Sequence, residues 1–231
     1  MFKTKFSEFR ASGEFYTLKL IHRHIGAIAA LILISLLSSL SGTPVKHTIS
    51  NCWEGFLWGL ADPVISLNCL VGIIAIGLLS SVFVRGAVIA GCFVLAAVLG
   101  IVIHFFQLNL PGTEIAMPLA GAAIAISTIL FGTMLMMPNQ LNLIVFALVG
   151  ISAGLFQGYA DAESIIGAGM IPLIAYILGI TLTLFVVAMS AREIGVAMGM
   201  REINRILPWK MSIAGFAFCA IGIVFLSNLI I

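Results

Sequence analysis

The sequence predicts an all-α, polytopic transmembrane helix bundle of about seven helices, from its composition, its long apolar segments and its charge distribution. Of its 231 residues, 61% are hydrophobic and only 9% are charged, whereas soluble domains carry about 25% charged residues. Such a chain cannot cover a separate soluble domain with a hydrated surface. We therefore predict a single membrane domain over residues 25–231, preceded by an amphipathic cytoplasmic segment over residues 1–24.

Apolar segments of membrane-spanning length follow the charged N-terminal segment. They are apolar on all sides rather than alternating in polarity, so we expect helices and not strands. The first one ends in small residues and has two interpretations, a retained span or a cleaved signal peptide that would leave six helices. The segments lie at 25–41, 54–84, 86–108, 115–137, 141–160, 168–191 and 211–230.

The second segment is too long for one straight crossing, because roughly 30 residues make a helix of about 45 Å and the hydrocarbon core measures about 30 Å. It contains Asp62-Pro63, and proline removes a backbone donor and disfavours helix in the preceding residue. We expect a break there, with 54–61 in the outer interface and 64–84 crossing. Alternatively, Asp62 is the N-cap of a helix that begins at Pro63.

Basic residues predict the orientation, because cytoplasmic loops of membrane proteins are enriched in Lys and Arg. A cytoplasmic N-terminus places ten of the eleven Lys and Arg residues on the cytoplasmic side and only Lys46 outside. Seven spans then put the C-terminus outside.

Polar side chains collect at the predicted outer ends of several spans. Ionisable groups at membrane depth are costly and usually face the bundle interior or a water-filled cavity. Carboxylates with an amide and an imidazole suit a divalent cation. The alternatives are that the acids lie in outer loops or headgroups, and that the histidine is a hydrogen-bonded interior residue. The candidate metal-binding residues are Asp62, Asn68, Cys69, His104, Gln157, Asp161 and Glu163.

Glycines repeat every four residues in the fifth segment, at Gly150, Gly154 and Gly158. This spacing is typical of closely packed helices. Ser152 completes a GxSxG pattern, but the nucleophile elbow of serine hydrolases needs a strand-turn-helix context. The pattern lies inside an apolar helix here, so we favour helix packing over intramembrane proteolysis and predict no enzyme activity.

Three stretches resemble the HupE/UreJ family of hydrogenase and urease accessory membrane proteins. They are GFLWGLADPVISLNCLVGIIAIGLLSS (55–81), LPGTEIAMPLAGAAIAISTILFG (110–132) and FQGYADAESI (156–165). The resemblance covers residues 55–192 and implies a permease for nickel or another transition metal in the bacterial inner membrane.

The chain departs from that family at every motif histidine. Asp62, Cys69, Gln157 and Asp161 stand where histidines are typical, whereas Glu163 is retained. The exchange makes the site harder and more acidic, which weakens the case for nickel and permits a different metal, such as manganese, or a relative that no longer transports.

Together, these features predict a secondary permease that binds a divalent transition-metal ion in a polar pocket at the outer helix ends. The implied partners are the bilayer, the ion as substrate, and a membrane-protein partner or second copy. We expect no permanently bound cofactor and no nucleic acid, since no basic run interleaves with aromatic residues. The alternative is a structural or assembly protein that keeps the fold without transporting. Carboxylates would hold the ion (Asp62, Asp161, Glu163) and the other candidates would complete the shell (Asn68, Cys69, His104, Gln157).

Overall fold

The computed structural model describes residues 24–30, 32–33, 49–106, 113–137, 142–165, 167–198 and 208–230, with side chains omitted at 113–118, 208–211 and 230. Every regular element in these ranges is helical, which confirms the predicted all-α class. The predicted segment 1–24, apart from its last residue, and most of the first span, 25–41, lie outside the described residues. Retention or cleavage of that span stays a prediction.

The helices follow the predicted segments closely. Helix α1 covers residues 24–30 and 32–33. Five of the later helices are long and apolar enough to cross a bilayer, or six spans if the bent pair α2–α3 counts as one. This confirms a polytopic bundle. The later bounds are α2 Cys52–Ile65, α3 Leu67–Ser80, α4 Gly86–Phe105, α5 Thr113–Met136, α6 Leu143–Asp161, a 3₁₀ turn Ala162–Ile165, α7 Met170–Ala197 and α8 Pro208–Ile230.

The second segment is broken, but the predicted position was wrong. Helices α2 and α3 are bent by 76°, and the residue between them is Ser66, with an extended backbone. Helix α2 continues through Pro63, and the amide of Ser66 donates to the carbonyl of Asp62 at 3.0 Å. Asp62 is therefore a residue of the helix interior, and it does not cap a helix that begins at Pro63.

Packing against α7 explains why α2 runs through its proline. The small residues Gly55 and Gly59 let the backbone of α2 approach that of α7 at Pro172 and Tyr176. The hydroxyl of Thr183 on α7 also donates to the carbonyl of Leu60 at 3.2 Å. Neighbouring helices and Ser or Thr side chains commonly re-satisfy backbone groups around a proline in a membrane helix. The break consequently falls beyond this contact.

The pairing of α4 with α6 uses the predicted glycine stripe. A Cβ atom at Gly154 would overlap the carbonyl oxygen of Phe93, and one at Gly158 would overlap that of Ala97. Gly150 faces side chains instead, with Ile76 Cδ1 at 3.1 Å from an ideal Cβ position. The absence of side chains thus allows the two backbones to touch, as small residues do between membrane helices.

Contacts between helix pairs give their relative directions. Phe93 lies beside Gly154, and Gly100 lies beside Tyr159 further along both helices. Helices α4 and α6 are therefore parallel. Helices α5 and α8 run in opposite ways, because Gly121 meets Leu229 while Gly132 meets Gly215. These directions agree with the predicted alternation of the spans. Which end faces the cytoplasm stays a prediction.

Candidate functional site

Arg85 and Arg192 lie at one end of the described bundle, where Arg192 pairs with Glu193 at 2.9 Å, and Asp62 and Asp161 lie towards the opposite end. Gly77 near the end of α3 packs against Ala188 and Ala191 of α7, which brings the turn that contains Arg85 to the same end as Arg192. The end of α6, the 3₁₀ turn and the beginning of α7 meet at the other end. Asp62 and Cys69, on either side of the bend between α2 and α3, also lie there.

Asp62 binds two hydroxyl groups from other elements. Its Oδ2 accepts from Ser164 Oγ at 2.9 Å and from the Tyr176 hydroxyl at 2.9 Å. Ser164 belongs to the 3₁₀ turn and Tyr176 to α7. A bond between a hydroxyl and a carboxylate is stronger than one between neutral groups. One carboxylate oxygen therefore joins α2 to two segments that are distant in sequence.

Asp161, the last residue of α6, holds the second carboxylate of the site. Its Oδ1 accepts from Gln157 Nε2 at 3.1 Å, one helical turn earlier. Its Oδ2 lies 3.6 Å from the Sγ of Cys69 in the first turn of α3. Cys69 is fully buried and Gln157 is 4% exposed. This carboxylate therefore faces the interior of the bundle.

The two acids belong to one group of side chains, which we call the polar cluster. Ser164 Oγ lies 2.8 Å from the main-chain oxygen of Asp161, and the Tyr176 hydroxyl lies 3.3 Å from it. The hydroxyls that bind Asp62 thus also reach the backbone of the second acid. The polar cluster consists of Asp62, Cys69, Gln157, Asp161, Ser164 and Tyr176.

His104 lies next to the polar cluster and contacts the end of α6. Its Nδ1 is 2.6 Å from the carbonyl oxygen of Tyr159, and the two rings stack with centroids 4.3 Å apart. A carbonyl oxygen only accepts, so Nδ1 carries the hydrogen, and in the neutral ring Nε2 keeps the lone pair. His104 is therefore half-buried and hydrogen-bonded, with one nitrogen still able to act as an acceptor, and its role as a ligand stays a prediction.

The remaining predicted residues differ in placement. Asn68 is exposed, whereas the neighbouring Cys69 is fully buried, so the structure does not bring Asn68 into the polar cluster. Glu163 precedes Ser164 in the 3₁₀ turn and is partly buried. Glu54 at the beginning of α2 is a separate acid, since its Oε2 accepts from the amide and hydroxyl of Ser50 at 3.0 and 2.8 Å.

The donor atoms of the polar cluster are mostly oxygens. Two carboxylates, two hydroxyls, an amide and a main-chain carbonyl lie with a single thiol. Within the residues that the structure describes, no three His, Cys, Asp or Glu side chains are arranged to hold a metal ion. An ion at this place would consequently need the hydroxyl, amide or carbonyl oxygens, and such ligands suit hard cations.

The sequence pattern missed Ser164 and Tyr176. Serine is common near helix ends, and neither residue shares a helix with Asp62. Tyr176 did carry a signal, because it lies inside a long apolar span, and a buried tyrosine usually finds a partner for its hydroxyl. Which partner it finds cannot be read from periodicity.

The GxSxG pattern has no catalytic geometry. Ser152 lies in the interior of α6, is exposed, and donates its hydroxyl to the carbonyls of Leu148 and Val149 at 3.0 Å. The flanking glycines serve the contact between helices, as predicted.

Comparison with known proteins places the fold in a described group. A family model with the description HupE / UreJ protein matches residues 32–225, which is most of the chain. Neither the curated proteins nor the solved structures include a significant match.

Proposed function

The chain belongs to the HupE/UreJ family, a group of metal-related membrane accessory proteins, and from this premise we propose that it is a secondary permease for a divalent transition-metal ion. The multi-pass helical bundle is consistent with that activity. The observation that carries the proposal is the polar cluster, which gathers two half-buried carboxylates from α2 and α6 towards one end of an apolar bundle. The ion is the substrate, and Asp62 and Asp161 are its principal ligands.

The position of the two carboxylates is the first support, because Asp62 and Asp161 are half-buried near helix ends. Asp161 lies in the last turn of a candidate span and contacts Cys69, whose side chain is fully buried. Charged groups at membrane depth are rare and mark ion or substrate pathways more often than they stabilise a fold. Two such residues, with hydroxyls that reach the carboxylate of Asp62 and the main-chain oxygen of Asp161, are therefore better explained by a cation than by packing.

The bent helix pair is the second support. The break at Ser66 lies one helical turn beyond Asp62 and one turn before Cys69, so both residues border it. Discontinuous helices in transporters expose backbone groups that coordinate ions near their breaks. The position of the bend within the polar cluster fits an ion path that passes along it.

The donor set favours a hard ion over nickel. None of the six side chains in the polar cluster is an imidazole, and its one thiol is outnumbered by oxygen atoms. Carboxylates, carbonyls and hydroxyls suit manganese or magnesium, whereas imidazole and thiolate suit nickel, zinc or copper. We propose manganese as the first ion to test, with His104 Nε2 as an additional ligand for a softer one.

Radiotracer uptake tests the proposal. Cells that express the protein are assayed with manganese and nickel isotopes, and the variants are Asp62→Asn and Asp161→Asn. Each removes a charge without changing the side-chain size, so we expect surface expression to persist and uptake to fall at least tenfold. Glu54→Gln is the matched control, because Glu54 is an acid outside the polar cluster. Uptake that survives both aspartate substitutions would refute the ligand assignment.

A second candidate function is assembly of a metalloenzyme without transport. It is favoured by one observation, that the described residues contain no set of three His, Cys, Asp or Glu side chains with metal-site geometry. Under this candidate the wild-type protein takes up no metal at all. Absence of uptake across a panel of divalent ions, with the protein present at the membrane, would favour it.

A further inference from the structure

The hydroxyl groups of Ser164 and Tyr176 bind Asp62, and neither residue belongs to the predicted ligand set. We propose that Ser164 and Tyr176 are positioning residues, which hold the Asp62 carboxylate in place for the cation. This inference rests on the proposed function, because it concerns the same ion site. It adds two residues that lie outside the predicted ligand set.

The geometry shows that Asp62 is held from two directions. Ser164 Oγ and the Tyr176 hydroxyl lie 2.9 Å from the same carboxylate oxygen and 3.2 Å from each other. Three oxygen atoms at these separations form a compact triangle. A carboxylate bonded in this way cannot rotate freely about its side-chain torsions, so its remaining lone pairs keep a defined direction.

Each hydroxyl supplies only one hydrogen, and this limits the bonding pattern. When Tyr176 donates to Asp62, Ser164 can donate either to Asp62 or to the main-chain oxygen of Asp161, which lies 2.8 Å away. The serine hydroxyl therefore lies within hydrogen-bonding distance of the first acid and of the backbone of the second, and donates to one of them at a time. Loss of either hydroxyl would free one side of Asp62 and loosen the spacing between the two acids.

Tyr176 is well suited to this role because its ring is immobile. The side chain is fully buried, and its backbone lies against Gly59 of α2. Gly59 lies in the same helix as Asp62, almost one turn earlier. The ring thus fixes its hydroxyl relative to the helix that carries the carboxylate, as the outer-shell partners of metal ligands do.

Another hydroxyl bond between the same two helices separates positioning from simple attachment. Thr183 Oγ1 donates to the carbonyl of Leu60 at 3.2 Å and touches neither acid. If Tyr176 only attached α2 to α7, removing either hydroxyl would have similar effects. If Tyr176 positions Asp62, then only its own hydroxyl affects binding of the ion.

The experiment compares Tyr176→Phe and Ser164→Ala with the control Thr183→Val in the full chain. Manganese binding to detergent-purified protein is measured by calorimetry, together with the half-saturating concentration for uptake and the melting temperature. Loss of an outer-shell partner costs about 10- to 100-fold in metal affinity. We therefore expect Tyr176→Phe and Ser164→Ala to weaken binding at least tenfold, with the maximal uptake rate kept within about twofold, and Thr183→Val to bind as the wild type does.

The outcomes distinguish this inference from the proposed function. If the wild type binds manganese and Tyr176→Phe binds it equally well, the inference is wrong and the permease proposal stands. Equal weakening by Thr183→Val would also refute it, because attachment alone would then explain the effect. If Tyr176→Phe does not fold, Ser164→Ala decides by the same criterion. A wild type that neither binds nor transports any divalent ion refutes the proposed function and this inference with it.

Discussion

The glycine stripe of α6 predicts a graded response to the addition of one methyl group. An ideal Cβ at Gly158 would lie 2.5 Å from the carbonyl carbon of Ala97 and 2.8 Å from its Cα, both rigid backbone atoms of α4. At Gly150 the nearest atoms are ends of side chains, Ile76 Cδ1 at 3.1 Å and Ile89 Cγ2 at 3.8 Å. The same substitution thus meets backbone at one position and flexible side chains at the other.

The magnitude follows from the contact distances. Carbon atoms pack best at about 3.5–4.0 Å, and the carbonyl oxygen of Ala97 would lie closer than its carbon, so Gly158→Ala must separate α4 from α6 by more than about 1 Å. Overpacking costs about 1–3 kcal/mol, and the rigid backbone places this change at the upper end. Alanine gains about 1 kcal/mol in helix propensity over glycine, which leaves a net loss of about 2 kcal/mol. For Gly150→Ala the small clash and the propensity gain approximately cancel.

The difference is measured as the melting temperature in detergent, which size-exclusion chromatography of heated samples reports. At roughly 2–4 °C per kcal/mol for a chain of this length, Gly158→Ala should melt about 4–8 °C lower than the wild type. Gly150→Ala should stay within about 2 °C of it, and the two variants differ only in position along one helix. Equal melting temperatures for both variants would show that backbone contact between α4 and α6 does not limit stability.

Further predictions concern topology, accessibility and packing. A reporter fused after Ile231 should be active outside the cytoplasm, because ten of eleven basic residues lie on the predicted cytoplasmic side; cytoplasmic activity would overturn the span count. In single-cysteine variants, Cys52 is exposed and should react with a maleimide, while Cys69 is buried and should react only after denaturation; prompt labelling of Cys69 would mean an open cluster. Ser152→Ala should preserve stability and uptake, since its hydroxyl bonds only to its own helix; lost activity would reopen the catalytic interpretation. Gly154→Leu should prevent folding, because its side chain would enter the backbone of α4; a normal yield of folded protein would contradict the packing.

The bend in the second segment illustrates what local chemistry predicts well and where it fails. Excess length and an internal proline correctly indicated an interruption between α2 and α3. The position was wrong by a few residues, because the contact with α7 keeps α2 helical through Pro63 and moves the break to Ser66. Proline propensity acts within one turn of helix, whereas this stabilisation comes from a helix more than 100 residues later in the chain.

The sequence also predicted the polar cluster only in part. Asp62, Cys69, Gln157 and Asp161 were predicted from charge and spacing, and the structure brings them together. Asn68 is exposed while the neighbouring Cys69 is buried, so the structure does not bring Asn68 into the cluster, and its role as a ligand stays a prediction. No spacing rule resolves that difference when a break resets the helical phase.

The sequence by itself determined the class of protein, the positions of the spans after the first, and the relative directions of α4 with α6 and of α5 with α8. These properties arise segment by segment, because each apolar stretch is in equilibrium with the bilayer and depends little on the others. Tertiary structure alone decided which hydroxyl groups bind Asp62. Asp62 bonds to Ser164 and Tyr176 across separations of 102 and 114 residues, and such contacts depend on how the helices pack, which hydropathy does not specify.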